Sequence, residues 1–317
     1  MKKKLSLSFI IFTYNSSDII HRNLQHLQKA LSFFQTDNEL ILVDNNSSDN
    51  TLEIVKSFAL ENNLDIKIIQ NTIQGLSFSR REGVQFASKE FVCFIDDDNF
   101  IPKNWIETLC EIIIKKNPDV IGCRTIGISD IPFPSWWEKH QGTYACGTRF
   151  KETGFITGPL NKFWGAGLTV RTKFIKPALL KMDLICTGRI GNIQMSGEDV
   201  EINYRLRLLG ATFYNSNELY LQHYMRKGRL TKKHLRKTLD GNAIGAVNLD
   251  IYRYLLTKDK KYKLFNFASL ILLGSVLLSI KYKVNYFKYA IMRFKTLRKR
   301  LEQQSVIKQK FDDINFN

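Results

Sequence analysis

The chain has 317 residues, 44% of them apolar and 24% charged. That composition supplies a sizeable core and excludes a disordered or fibrous protein. The formal charge of +17 is unevenly spread, because residues 1–225 hold 25 basic and 24 acidic side chains and residues 226–317 hold 22 and 6. The composition therefore predicts a nearly neutral domain over 1–225 and a basic extension over 226–317.

Residues 5–12 read as a first buried strand. Ser16, Ser17 and Asp18 are competent N-caps for an amphipathic helix running to about Phe34. A second strand over 39–43 is followed by turn chemistry over 44–51 and a helix to about Glu61. Residues 66–70 form a third strand, and Gly75 leads into a helix ending near Ser88. After one more strand, Pro102 opens a helix that runs to about Lys116. Strand and helix alternating at short spacing predict an α/β fold with a mostly parallel central sheet flanked by helices.

The strand before Pro102, residues 91–95, is five apolar residues long and ends in Asp96, Asp97 and Asp98. Three adjacent carboxylates repel one another and need compensation in a dry site. A divalent cation, Mn²⁺ or Mg²⁺, shared with substrate phosphates would supply it; a solvated acidic turn is the plainer alternative. Ligands bind outside the carboxyl ends of strands in open α/β sheets, which is where this cluster falls. No GxGxxG follows the first strand and no Walker A sequence is present, so both standard phosphate loops are missing. The first two strands end instead in Thr13, Tyr14 and Asn15 and in Asp44 and Asn45, side chains suited to a nucleoside or simply to turns.

From about 122 to 158 the pattern becomes irregular, with Pro132, Pro134, Trp136 and Trp137, and Trp164 follows closely. Such segments form binding-site walls or core packing. Residues 165–170 read as a strand entered through small residues, beginning at Gly165. Glu198, Asp199 and Glu201 then precede a helix stopped by Gly210. Glu201 is accounted for as a helix-dipole complement, whereas Glu198 and Asp199 are candidates for catalysis. The five cysteines have no CxxC spacing and read as reduced, buried small hydrophobes in a cytosolic protein. The apolar run after Met1-Lys2-Lys3-Lys4 is too short for a signal peptide.

Taken together, residues 5–225 resemble the family-two glycosyltransferases of bacterial surface-polysaccharide type, whose nucleotide-sugar domain has the GT-A fold. Thr13-Tyr14-Asn15 is similar to the first nucleotide-contacting loop, and the run from Val43 to Thr51 to the second-strand motif. Asn45 stands where many members have a second Asp, and Arg81 where Asn is more usual. The resemblance implies that Arg80 neutralises the diphosphate or holds the base loop. It assigns Asp96-Asp97-Asp98 to the DxD element, with Asp98 on the metal, Asp96 supporting it and Asp97 facing ribose or sugar. Glu198-Asp199 matches the later ED motif, making Asp199 the general base. Trp164 and Gly165 fall on the acceptor side, and His223 is either a metal or phosphate contact or a structural histidine. The implied reaction is an inverting sugar transfer from a nucleoside-diphosphate sugar to a glycan hydroxyl.

The extension contains 17 uncharged residues over 264–280, short of the 20 or so a spanning helix needs. Lysines and arginines flank it on both sides, which fits a helix lying on an anionic leaflet better than a single crossing. The expectation is a peripheral or monotopic enzyme on the cytoplasmic membrane face, acting on a lipid-linked glycan acceptor. A buried helix, or a nucleic-acid contact on a nucleotide-binding fold, are the competing readings.

Overall fold

The computed structural model describes residues 5–186, 188–190, 193–194 and 196–259. The uncharged run 264–280 and the basic residues around it lie outside the described residues.

The first half alternates as the sequence predicts: β1 (Ser6–Thr13), α1 (Ile20–Phe33), β2 (Asp37–Asp44), α2 (Thr51–Glu61), β3 (Ile66–Gln70), α3 (Leu76–Phe86), β4 (Phe91–Asp96). A short β5 (Asn99–Phe100), α4 (Trp105–Lys116) and β6 (Val120–Ile128) follow. Then come α5 (Trp137–His140), β7 (Gly154–Phe155), β8 (Thr169–Arg171) and α6 (Thr172–Leu180). A small hairpin, β9 (Arg189–Ile190) with β10 (Ile193–Gln194), precedes α7 (Glu198–Leu208) and the long β11 (Phe213–Tyr224). The described chain closes with α8 (Lys232–Asn248) and α9 (Asp250–Thr257).

The main sheet runs β3-β2-β1-β4-β8-β6-β11-β5, with β7 also on β11. Its long ladders, β3/β2, β2/β1, β1/β4 and β6/β11, are parallel; β8, β5 and β7 add short antiparallel pairings. In β1 the pleat sends Leu7, Phe9 and Ile11 to one face and Ile10 and Phe12 to the other. Residues of α1, α2 and α4 cover the first face, and residues of α3, α6 and α7 cover the second. Burial on both faces explains the continuous apolar runs of β1, β2 and β4.

Several local expectations fail for identifiable reasons. None of Ser16, Ser17 and Asp18 caps α1, which begins after Ile19 without a side-chain cap. The Ser16 hydroxyl donates to Asp97, and the Ser16 carbonyl accepts from the amides of Ile19 and Ile20. The stretch after Gly122 is not irregular at its start but lies in β6. Glycines interrupt the apolar pattern there because aromatic rings lie over them: a Cβ on Gly122 would stand 2.2 Å from Phe163, and one on Gly127 2.6 Å from Trp137. The strand expected over 165–170 is only β8, because Gly167 turns at φ +69° and Leu168 bonds back to Gly165. All five cysteines are free and buried.

Composition changes at residue 226, but packing does not. Met225, Leu230 and Leu235 pack with Trp137 and Tyr144, while Leu249, Tyr252 and Leu255 pack with Cys186 and Tyr204. Among the described residues no helix is long and apolar enough to cross a membrane.

Candidate active site

The aspartate turn is built by strand register. Pairing of β5 with β11 sets His223 opposite Asn99, one residue after Asp98. His223 Nε2 thereby lies 3.2 Å from Asp98 Oδ1, while Asn99 Nδ2 donates to that same oxygen at 3.1 Å. The other Asp98 oxygen accepts from Arg229 Nη1 at 2.6 Å. The Asp97 amide donates to the Phe12 carbonyl at 3.1 Å, and the Asp97 carboxylate accepts from the Tyr14 amide and the Ser16 hydroxyl. Asn23 Nδ2 donates to the carbonyls of Asp96 and Asn99, locking the turn against α1.

Electrostatically the three carboxylates are unequal. Burial raises Asp96 above the usual carboxylate range. Burial and the adjacent Asp98 charge push Asp97 up to about 7. Asp98, against the cost of burial, is held well below that range by His223 and Arg229. His223 responds in kind: burial opposes its charge, but Asp98 raises it to about 10. Of the three, Asp98 is the one whose cationic neighbours favour its ionised form.

Arg80 faces this turn from α3. It is only 2% exposed, its guanidinium 5.8 Å from the ring centres of both Phe12 and Phe94. Its Nη1 lies 3.7 Å from Glu198 Oε1, yet Nε and Nη1 make no hydrogen bond in the described structure. Gly165 fills the gap between Arg80 and α7. A Cβ there would meet Arg80 Nη2 and stand 3.4 Å from Asp199 Cβ, so any side chain at this position must displace the Arg80 guanidinium. Asp199 opens α7, with Oδ1 accepting from the Val200 amide at 2.7 Å. Asn203 fixes this end of the helix: Nδ2 donates to the Asp199 carbonyl and Oδ1 accepts from the Phe163 amide.

One cavity of about 1030 Å³ collects these groups at the carboxyl ends of β1, β2 and β4. Thr13, Tyr14, Asn45, Arg80, Asp96, Asp97, Asp98, Trp164, Gly165, Glu198, Asp199 and His223 all line it. Asn15 and Asp44 do not. The Asn15 side chain accepts from the Ser48 amide at 2.8 Å, and the buried Asp44 carboxylate accepts from the Ser47 amide at 3.1 Å, so both brace loops. Tyr14 is 46% exposed and its hydroxyl accepts from Gln74 Nε2, while Asn45 Oδ1 accepts from the Gly75 amide. Trp137 belongs to the core and Trp164 to the cavity, which divides the aromatic segment between its two readings.

Sequence reasoning missed the cavity's other cations, Arg149, Lys162, Arg226, Arg229 and Arg253, and its far wall from α8 and α9. One signal was present. Thr238, Asn242, Ala246, Leu249 and Arg253 recur three or four residues apart, a helical stripe that the extension's charge obscured. Glu201 also differs from its expected role. It is fully buried, accepting from the amides of Ile185 and Cys186 and pairing with Arg205 at 2.8 Å.

The chain is 30% identical over 177 residues to the poly(ribitol-phosphate) β-N-acetylglucosaminyltransferase TarS of Staphylococcus aureus, covering 56% of this chain and 28% of TarS. It is 29% identical over 159 residues to the uncharacterized glycosyltransferase YibD of Escherichia coli, covering 50% of this chain and 43% of YibD. The chain thus spans less than half the length of these curated relatives. The crystal structure of S. aureus TarS 1–349 in complex with UDP-GlcNAc superimposes with a TM-score of 0.55 at 19% identity, covering 94% of this chain and 92% of that one. GalNAc-T7 with UDP, GalNAc and Mn²⁺ gives 0.52 at 15% identity, covering 83% and 54%. These structures carry the fold, a mixed α/β GT-A sheet flanked by helices. Residues 8–176, just over half the chain, match the family model of Glycosyl transferase family 2, and the chain belongs to that family.

Proposed function

We propose that this protein transfers a sugar from a nucleoside-diphosphate sugar, with UDP the first nucleotide to test, to a hydroxyl of a lipid-linked glycan, inverting the anomeric carbon. The observation that carries the reading is the buried Arg80 guanidinium. Arg80 lines the cavity that also holds Asp96–98 and Asp199, and its Nε and Nη1 make no hydrogen bond. A buried guanidinium without hydrogen bonds is costly unless an oxyanion completes it, and a diphosphate is such a group.

In this reading Tyr14 and Asn45 hold the base, Asp97 faces the ribose or sugar, and Arg80 binds the diphosphate. Glu198 positions Arg80, and Trp164 and Gly165 shape the acceptor side. Asp96 and Asp98, with His223 beside Asp98, are the side chains that would supply oxygen and imidazole donors to Mn²⁺ or Mg²⁺. Among the described residues no group of three or more His, Cys, Asp and Glu side chains could hold an ion by itself. Substrate phosphates would have to complete the coordination of such an ion. When bound, such an ion stabilises negative charge on the departing diphosphate. Asp199 removes the proton of the attacking hydroxyl on the opposite face of the sugar. Membrane docking by the basic residues around 264–280 would bring a lipid-linked acceptor to this face. The nucleic-acid alternative rests on tail charge alone and no cavity residue supports it.

Thermal shift and slow nucleotide release, with and without Mn²⁺, against UDP-, GDP- and dTDP-sugars test the reading. A metal-dependent response to one nucleotide is expected; folded protein that answers none of them would refute it. Gly165→Ala offers a sharper check, because the new methyl must displace Arg80. Donor affinity is expected to fall by about tenfold, roughly 1.4 kcal/mol, with little change in Tm. An unchanged donor affinity would detach Arg80 from the diphosphate.

A further inference from the structure

The cavity carries more positive charge than one nucleoside diphosphate uses. Arg80, Arg226 and Arg229 serve the aspartate end, where Arg229 pairs with Asp98 and Arg226 with Asp18. Arg149, Lys162 and Arg253 line the same cavity beside Asp199. These three come from separate segments: the loop before β7, the loop before β8, and α9.

Their positions are built, not incidental. Arg149 Nε donates to the Lys162 carbonyl at 3.2 Å, and its guanidinium lies 5.7 Å from the Trp164 ring centre. Arg253 Nη1 donates to the Ala246 carbonyl and pairs with Asp250, each at 2.7 Å. Leu249, one turn earlier, reaches within 3.3 Å of where a Gly197 Cβ would stand, so this helix crosses the start of α7. The Asn203 bonds to Phe163 and Asp199 hold the Lys162 backbone against the same point. The Lys162 ammonium sits 5.8 Å from the Tyr204 ring centre and has no hydrogen bond or carboxylate partner among the described residues. Burial, then Arg253 and Arg149, push Lys162 down to about 8 against the opposing charge of Asp199. Asp250 pairs with Arg253, and Asp199 is the carboxylate whose charge acts on Lys162, so the three cations face the cavity with two carboxylates between them.

We propose that Arg149, Lys162 and Arg253 form a second anion subsite, which takes a phosphate carried by the acceptor next to its attacking hydroxyl. This rests on the sugar-transfer reading and narrows its acceptor to a phosphate-bearing one. A phosphate seated there places the neighbouring hydroxyl at Asp199, while the donor diphosphate keeps to Arg80 and the aspartates.

The test uses the full chain saturated with UDP and Mn²⁺, titrated with sn-glycerol 1-phosphate, and with glycerol as the neutral control. Calorimetry is expected to show glycerol phosphate binding alongside UDP and glycerol not binding. Lys162→Gln and, separately, Arg149→Gln are each expected to weaken that binding about tenfold, the scale of a lost charge-assisted hydrogen bond. UDP binding by each variant reports that it is folded. Equal glycerol phosphate affinity in wild type and both variants, or binding that UDP abolishes, would overturn the subsite. Competition by UDP-glucuronate that UDP-glucose does not reproduce would assign the subsite to an acidic donor sugar and overturn the acceptor assignment. If UDP binds and glycerol phosphate does not, the subsite alone falls. If UDP fails to bind folded wild type, the donor reading falls and the subsite with it.

Discussion

Replacing Asp199 with Asn is expected to lower sugar transfer by about 10²- to 10⁴-fold, the usual contribution of a positioned general base. UDP affinity is expected to stay within about twofold, since the side chain removed does not serve the diphosphate. The choice of Asp199 over its neighbour follows from what each carboxylate faces. Glu198 Oε1 is 3.7 Å from a guanidinium nitrogen of Arg80, so its charge is committed to positioning that cation. Asp199 accepts a hydrogen bond from the Val200 amide of its own helix turn and otherwise faces the cavity past Gly165. Glu198→Gln should therefore weaken donor binding first, whereas Asp199→Asn should act on turnover alone. Initial rates with a radiolabelled donor, beside UDP titrations of both variants, separate the two roles. Transfer retained by Asp199→Asn would show that another group takes the proton.

The aspartate end of the cavity was legible because its residues sit where local pattern meets topology. Parallel strands announce themselves by short apolar runs, and whatever polar side chains follow must gather at one edge of the sheet. Thr13, Asn45 and Asp96–98 needed no more than that, and Arg80 and Asp199 needed the family resemblance. What stayed hidden depends on contacts distant in sequence. Arg229 meets Asp98 across 131 residues, and no local pattern marks it. Lys162 and Arg149 lie in loops whose only sequence signal is polarity. Asn15 and Asp44 show the ambiguity of such loops: turn chemistry and ligand chemistry use the same side chains, and in this structure both accept hydrogen bonds from the turn that follows β2. The extension was read through its charge, and charge says little about which helix faces are buried.

That last point gives the prediction with the largest effect on stability. Arg205 and Glu201 lie one helical turn apart on α7, and both are 0% exposed. Arg205 donates to the carbonyls of Ala178, Met182 and Asp183, to Glu201, and from Nε to the Tyr252 hydroxyl. Tyr252, from α9, donates in turn to Glu201 Oε1 at 2.8 Å. The network is closed, so removing one member strands the others. Arg205→Met leaves the Glu201 carboxylate buried without its countercharge, which costs about 3–5 kcal/mol. Calorimetry is expected to show Tm falling on the order of 10 °C. Tyr252→Phe removes one hydroxyl and should cost less, about 1.5–3 kcal/mol. Pairing Arg205→Met with Glu201→Gln should cost less than the sum of the two changes, because the second neutralises the charge that the first strands. A Tm unchanged in Arg205→Met would mean that α9 is held by its apolar contacts with Cys186 and Tyr204 alone. A large fall would mean that the network is what carries residues past 225 onto the body of the fold, with Arg253 one residue beyond Tyr252 and lining the same cavity as Asp199.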